Sequence, residues 1–266
     1  LKVYARAGQG IVLSPFILGG AMGPVTMPAL VAQAHAEALV GIALSQLVQE
    51  GAPVVYGNFL STMNLKTGAP TFGTPEANLA ALAIGQLCRG MGLPLRCGGH
   101  LTAAKSADGQ AMQESADSMT AGLMAGANYV LHAAGWLEGG LTMGYEKFVM
   151  DLDRCGMMLR FSQGLNLDTN NLAKDAYCEA GPGQNFFGVQ HTLANFEKAN
   201  YMSTLADTQS FESWSEAGSL TLEQRANGRW KAMLADYKKP ALDPRIDSAL
   251  KDFMKQRKQA QPDQWY

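Results

Sequence analysis

Apolar and small residues in the first half of the chain alternate between short continuous runs and longer segments of helical periodicity. The runs are residues 11–16 (IVLSPF), 53–58 (PVVYGN), 94–98 (PLRCG) and 128–134 (NYVLHAA). Such near-continuous apolar runs are the pattern of parallel strands covered on both faces. The segments between them, 27–49, 75–91 and 110–125, carry small and apolar residues on recurring faces and predict helices. Thr74 before Pro75 predicts a capped start for the second helix, and Gly51, Gly92 and Gly126 close the three helices. After Ala134 the strand signal fades. Helices are predicted over 145–161, 171–179, 192–200, 221–237 and 244–258, the last capped by Asp243 with Pro244 in its first turn. The tail 259–266 is polar, contains Pro262 and is expected to fray.

Alternating β and α units of this spacing predict parallel strands, and so an α/β fold, either a (β/α) barrel or an open doubly wound sheet. Four strands are half of an eight-stranded barrel. The opening LKVYARAGQG reads as the end of a helix begun upstream and lacks the features of a signal peptide.

In parallel α/β folds the reacting groups stand on loops at the carboxyl ends of strands. Here those loops are SPFILGGAMGPVT, YGNFLSTMNLKTGAP, GGHLTAAKSADG and HAAGWLEGGLTMGYE, long for simple turns and rich in Gly, Thr, Ser, Asn and aromatics. Tyr56, Phe59, Phe72, Trp136 and Tyr145 put rings on or near two of these loops, and aromatic faces attract quaternary ammonium groups. Glu138 lies in an apolar, Gly-rich stretch that could desolvate its carboxylate or supply a cationic partner. His100 follows a strand end. His132, within the fourth run, fits a hydrogen-bonded core residue as well as a ligand, and His191 follows a Gly-rich turn. Cys97, His100 and His132 together would offer zinc a ligand set.

Composition narrows the field. The 266 residues are 47% hydrophobic and 17% charged, with 21 basic and 23 acidic side chains. A net charge of −2 offers no basic face for nucleic acid. The longest apolar stretch, 30–48, is interrupted by Gln33, His35, Glu37, Ser45 and Gln46, so it reads as a soluble helix and no membrane span is expected. Cys88, Cys97, Cys155 and Cys178 form no CxxC pair and fit reduced thiols in a cytoplasmic protein. Phosphate-loop and dinucleotide fingerprints are absent, as are GxSxG, HExxH and a DxHxxG corrinoid-binding sequence.

Four longer strings carry a resemblance. GPVTMPALVAQAHAEALVGIALSQLVQEGAPVVYG with MNLKTG and GTPE, then LTAAKSADGQA, ANYVLHAAGWLEGGLTMGYEKFVMD and GPGQNFFGVQHTLANFE, resemble the trimethylamine methyltransferase (MttB-like) family in order across nearly the whole chain. The resemblance implies the carboxyl-terminal half of a TIM-like barrel. Residues 1–165 would be the barrel portion, and 166–266 a helical extension packed on it. It implies methyl transfer from a methylated amine to Co(I) of cobalamin carried by a separate corrinoid protein, with no metal bound directly. All positions are standard residues, which resembles the non-pyrrolysine branch and implies quaternary amines such as betaines.

On this reading Tyr56, His132, Glu138 and Tyr145 hold the substrate, and Gly98, Gly99 and His100 line the mouth beside Thr102 and Lys105. Phe187 and His191 close it from the helical end, while His100, Asn58 or Lys105 would donate to a betaine carboxylate. Two departures from the family pattern stand out: Ala103 where Asp is usual, and Gln184-Asn185 for Gly-His. They leave a non-catalytic betaine-binding paralogue as one alternative, and a zinc-dependent methyltransferase or hydrolase as another. An exposed half-barrel also implies a homo-oligomer or an upstream segment over its open strands.

Overall fold

The helices that begin at Pro75 and Pro244 start where a capping side chain meets a proline, and several strands stop beside a glycine or proline. A computed structural model describes residues 1–261; within the tail expected to fray, residues 262–266 lie outside the described residues. After a short first helix α1 (Lys2–Arg6), the run 11–16 divides into β1 (Ile11–Leu13) and β2 (Phe16–Leu18). Pro15 stands between them and has no N–H to give a ladder. Helix α2 (Met27–Val48) follows, with Pro28 in its first turn. The second run continues past its expected end, as β3 (Val54–Gly57) and β4 (Phe59–Met63) either side of Asn58, and β5 (Pro70–Thr71) pairs back on β4.

Helix α3 (Pro75–Gly90) starts as its sequence predicts, the Thr74 hydroxyl accepting from the Ala77 N–H at 3.4 Å. After β6 (Leu95–Gly98), the Asp108 carboxylate caps α4 (Gly109–Met124) by accepting from the Ala111 N–H at 3.1 Å. The fourth strand, β7 (Tyr129–Leu131), ends before His132, which takes a φ of 59°. The expectation that His132 lies inside this strand is thereby corrected. A left-handed residue cannot continue a β-ladder, so its side chain leaves the strand's alternation.

Strands β1, β3, β6 and β7 form one parallel sheet in that order, each helix crossing over between neighbours. The chain is a mixed α/β structure with a parallel sheet at its centre. Strands β2 and β4 pair in parallel beyond the two breaks, so the first two strands are prolonged towards the loop end. Gly57 permits this: a Cβ there would lie 2.4 Å from Ser14 Cβ, so only glycine lets the two breaks pack together. The core is built of Ile17, Leu30, Ala34, Ala38, Tyr56, Leu60, Ile84, Leu95 and Cys97. Small residues on the helices bring backbones close, most of all where Gly85 of α3 meets the Ala125 carbonyl after α4.

Despite its polar interruptions, helix α2 has 22 residues and an 18-residue window with a mean hydropathy of 1.4, long and apolar enough to cross a bilayer by length and composition alone, a test that the core helix of a soluble protein also passes. Its Leu30, Ala34 and Ala38 pack in the core, while Val40 and Leu47 are exposed.

Beyond the sheet, β8 (Trp136–Leu137) and β9 (Thr142–Met143) form a small hairpin, and α5 (Tyr145–Ser162) matches its predicted span within a residue. The helix expected over 171–179 is two, α6 (Thr169–Leu172) and α7 (Lys174–Ala180), broken where Ala173 turns left-handed at φ 46°. Helix α8 (Gln190–Asn195) is shorter than expected. Helix α9 (Phe211–Glu216), a single short turn capped by Ser210, was not anticipated from the pattern. Helices α10 (Leu222–Ala235) and α11 (Pro244–Ala260) follow, Asp243 capping the latter as expected. Two compact units result, Leu1–Trp230 and Lys231–Tyr266.

Candidate active site

The segments following the strands enclose an aromatic cavity of about 310 Å³. Phe16 opens β2 and Phe59 opens β4, so both rings stand just past the strand breaks. Phe72 follows β5, and His132 and Trp136 come from the turn into the β8–β9 hairpin; Gly139, Gly140 and Leu141 complete that side. Phe59 is the hub. Its ring lies 4.9 Å from Phe16, 5.1 Å from His132 and 6.1 Å from Phe72, while Trp136 meets His132 edge-on at 5.2 Å. A cavity lined by ring faces suits an apolar body or a diffuse cation.

Arg96 of β6 stands against this wall. It is 2% exposed, and its guanidinium lies 4.9 Å from the Phe59 ring centre. One Nη donates to Ser14 Oγ at 3.1 Å and to the Asn58 carbonyl at 3.0 Å, the other to His132 Nδ1 at 3.1 Å. Guanidinium can only donate, so His132 Nδ1 must hold its lone pair. His132 is then neutral with its proton on Nε2, and burial, reinforced by the Arg96 charge, holds its pKa below the ordinary value.

A second, fully buried cluster fixes the turn that carries Trp136. Lys147 and Asp151, one helical turn apart on α5, form an ion pair, and Lys147 Nζ also donates to the His100 carbonyl at 3.4 Å. Asp151 accepts from the Gly135 N–H at 2.8 Å. His100 Nδ1 donates to the Ala133 carbonyl at 2.7 Å, leaving Nε2 without a partner. Burial pushes Asp151 up to about 6 against the pull of Lys147, pulls Lys147 down, and lowers His100 to about 4. Residues 133 and 135 are thus tied to α5 and the strand-end loop on either side of the turn.

The loop at Thr102 has a carboxylate after all. Glu114 of α4 accepts from the Thr102 hydroxyl and from the Ala103 N–H at 2.7 Å, so a helix delivers an acid beside the position where the loop itself has Ala103.

Of the residues singled out from sequence, His132 lines the cavity, while Asn58, Gly98 and Gly99 lie with Phe59 and Phe72 around a smaller void of about 40 Å³, the Asn58 carbonyl bound by Arg96. Glu138 is exposed, next to Gly139 of the cavity rim, with φ 53° and its N–H on the Ala104 carbonyl at 2.7 Å. Thr102 and His100 are buried behind the loop. The others lie elsewhere. Tyr56 is buried in the core with its hydroxyl 3.1 Å from His35 Nδ1, and burial pushes its pKa up to about 12. Tyr145 stacks on Trp230 at 4.9 Å. Lys105 is exposed and caps the Ala103 carbonyl, Phe187 is exposed, and His191 Nε2 donates to the Asn170 carbonyl at 2.8 Å.

The zinc set does not assemble. His132 Nδ1 is taken by Arg96 and His100 Nδ1 by Ala133, while burial pushes the Cys97 thiol up to about 11, against thiolate formation. Among the described residues no group of three His, Cys, Asp or Glu is placed to hold a metal. Sequence reading missed Arg96, Lys147, Asp151 and Glu114. The signal for Arg96 was present as a charge inside the apolar run PLRCG; the Lys147–Asp151 spacing is indistinguishable from an ordinary surface pair.

Comparison with known proteins bears on this geometry. The family model for trimethylamine methyltransferase (MTTB) matches residues 1–262. The glycine betaine methyltransferase of Desulfitobacterium hafniense is 38% identical over 257 residues, 97% of this chain and 53% of that protein. A trimethylamine methyltransferase of Methanosarcina mazei is 32% identical over 251 residues, 94% of this chain and 49% of that protein, and one of Methanosarcina barkeri is 32% identical over 244. The chain spans about half the length of the curated relatives it matches.

Proposed function

The chain belongs to the trimethylamine methyltransferase family, and from that premise we propose that the full-length protein moves a methyl group from a quaternary amine, such as a betaine, to the Co(I) of a corrinoid carried by a separate protein. The observation that carries this reading is the aromatic cavity. Phe16, Phe59, Phe72 and Trp136 offer ring faces to a methylated ammonium, each favourable contact contributing roughly 0.5–2 kcal/mol.

The lining chemistry fits an external methyl acceptor. Among the described residues the wall contains no carboxylate, thiol, amine or hydroxyl. A quaternary nitrogen leaves as a neutral tertiary amine, so no protein acid is needed to protonate the leaving group. The chain's residues therefore bind, orient and exclude water. His132 Nε2–H is the polar donor of the wall, and Glu138 at the rim adds a negative charge that attracts the cation. The corrinoid, when bound, supplies the nucleophile.

The fold belongs to the same proposal. Exposed Val12 on β1 and exposed Tyr129 and Leu131 on β7 mark the two free edges of the four-stranded sheet. Four further strands pairing there would close a TIM-type barrel, with residues 1–165 as its portion and 166–266 as a helical extension. A homo-oligomer and a cytoplasmic location complete the reading.

The test mixes the full-length protein with photoreduced Co(I) cobalamin and, in turn, trimethylamine, glycine betaine, proline betaine and carnitine. Methylation of the cobalamin, followed in the visible spectrum, with one quaternary amine is expected. Tight binding of an amine without turnover would support the non-catalytic alternative instead, and no binding of any amine would overturn the reading.

A further inference from the structure

Helix α2 is apolar on two opposite sides. Leu30, Ala34, Ala38 and Ser45 form its buried face, the first three within the core. The opposite face recurs at the same helical spacing, at Ala32, Ala36, Leu39, Val40, Ala43 and Leu47. All six are exposed, Val40 by 68% and Leu47 by 86%. Glu37 is the one Asp, Glu, Lys or Arg among the 22 residues, and Gln33 donates to its carboxylate at 2.9 Å. A helix at a protein surface turns polar residues away from the core, whereas one apolar all round is covered all round. Helices α1 and α3 pack against α2 and add exposed Val3, Tyr4 and Leu79. Strands added at the free edges β1 and β7 would extend the sheet and its layer of helices. They would lay nothing over the outer side of α2, which faces away from the sheet.

We propose that the outer face of α2 is where two copies of this chain meet, their α2 helices antiparallel about a two-fold axis between Leu39 and Val40. Charge and shape both favour a second copy. An uncharged face meets another uncharged face without stranding a charge, and a two-fold interface presents the same patch on both subunits. In the antiparallel pair, positions equally distant from the axis lie opposite one another. Leu47, the most exposed of the six, is then received by Ala32, Ala36 faces Ala43, and Val40 faces Leu39. A parallel pair would set Leu47 against Leu47 and Ala32 against Ala32, crowding one end and leaving the other empty. The area is sufficient. A face about 33 Å long and, with the flanking side chains of α1 and α3, about 20 Å wide buries roughly 1,300 Å² in the pair, within the range of stable interfaces. This gives the homo-oligomer of the reading above its surface. It stands apart from the methyl-transfer chemistry, so the two can fail separately.

The experiment is sedimentation equilibrium of the full-length protein over a range of concentrations, with cysteine cross-linking. Wild type should associate into an even number of chains. Leu47→Glu sets two unpaired charges into the interface and should weaken that association at least about 100-fold. Its circular dichroism and melting should stay as in the wild type, because Leu47 is 86% exposed. Val40→Cys, beside the axis, should give a disulfide-linked dimer on mild oxidation, measured against the wild type as control for exposed Cys178. Leu47→Cys should not, since its two copies would stand about 22 Å apart in an antiparallel pair, beyond disulfide reach. A monomeric wild type, or a Leu47→Glu protein of unchanged mass, would overturn the proposal. Linkage through Leu47→Cys and not Val40→Cys would overturn the antiparallel pairing. Flotation of the wild type with phosphatidylcholine vesicles would give the face to a lipid surface and overturn it as well. The wild-type measurement needs no variant, and methylation of cobalamin tests the methyl-transfer reading independently of every outcome here.

Discussion

Replacing Lys147 by Met removes one charge from the centre of the α5 cluster and keeps most of the side-chain volume. Lys147 and Asp151 are both fully buried, and Asp151 would retain the hydrogen bond from the Gly135 N–H, with His100 Nδ1 3.8 Å away. Breaking a buried pair by removing one partner costs about 3–5 kcal/mol, because the remaining charge is left uncompensated. The cost depends on that charge, and so on pH. A carboxyl whose pKa is higher folded than unfolded weakens the fold when ionised. Its penalty is absent below the unfolded pKa and complete above the folded one. For Asp151 the window runs from 3.8 to about 6 in the wild type, with burial as the main cause and Lys147 opposing it. Without Lys147 the carboxyl titrates higher still.

At pH 8 the wild type therefore has a compensated pair and Lys147→Met an unpaired carboxylate. At pH 5 Asp151 is mostly protonated in both. The expected loss is about 4 kcal/mol at pH 8, shrinking to about 1 kcal/mol at pH 5, the residue of an approximately volume-conserving swap. Urea denaturation at the two pH values, followed by tryptophan fluorescence, measures both. An equal loss at pH 5 and pH 8 would refute the reasoning, since a packing defect has no reason to titrate. The same substitution should loosen the Gly135 anchor and with it the placement of Trp136.

Trp136→Leu should weaken binding of a quaternary amine by roughly 0.5–2 kcal/mol; an unchanged dissociation constant by calorimetry would take Trp136 out of the site. Gly85→Ala should lower the melting temperature. Alanine gains about 1 kcal/mol of helix propensity over glycine, but its Cβ would stand 2.3 Å from the Ala125 carbonyl oxygen, and forcing backbone apart costs about 1–3 kcal/mol. Thr74→Ala should cost about 1 kcal/mol in chemical denaturation through the lost α3 cap, whereas Thr74→Ser should cost much less.

Local rules made much of this architecture legible. Caps and prolines set the starts of α3 and α11 at Thr74 and Asp243, and apolar runs between glycines located the four parallel strands, because these signals act within a few residues. Aromatic residues on the strand-end loops indicated a site of ring faces, and four ordered strings indicated the family. The breaks at Pro15 and Asn58 were harder to read. They prolong two strands only because Gly57 lets Ser14 approach, a contact across 43 residues. What tertiary structure alone decided is which polar groups are desolvated together. Arg96, one charge in an apolar run, becomes a buried cation only when β6 packs beside Phe59 and His132. Lys147 and Asp151, spaced like a surface pair, lose solvent only when α5 closes over His100 and Gly135. Tyr56 and Tyr145, placed by sequence at the mouth, are turned instead to His35 and Trp230. Sequence periodicity reports which face of an element is apolar; burial of a charge depends on what the rest of the chain lays over it.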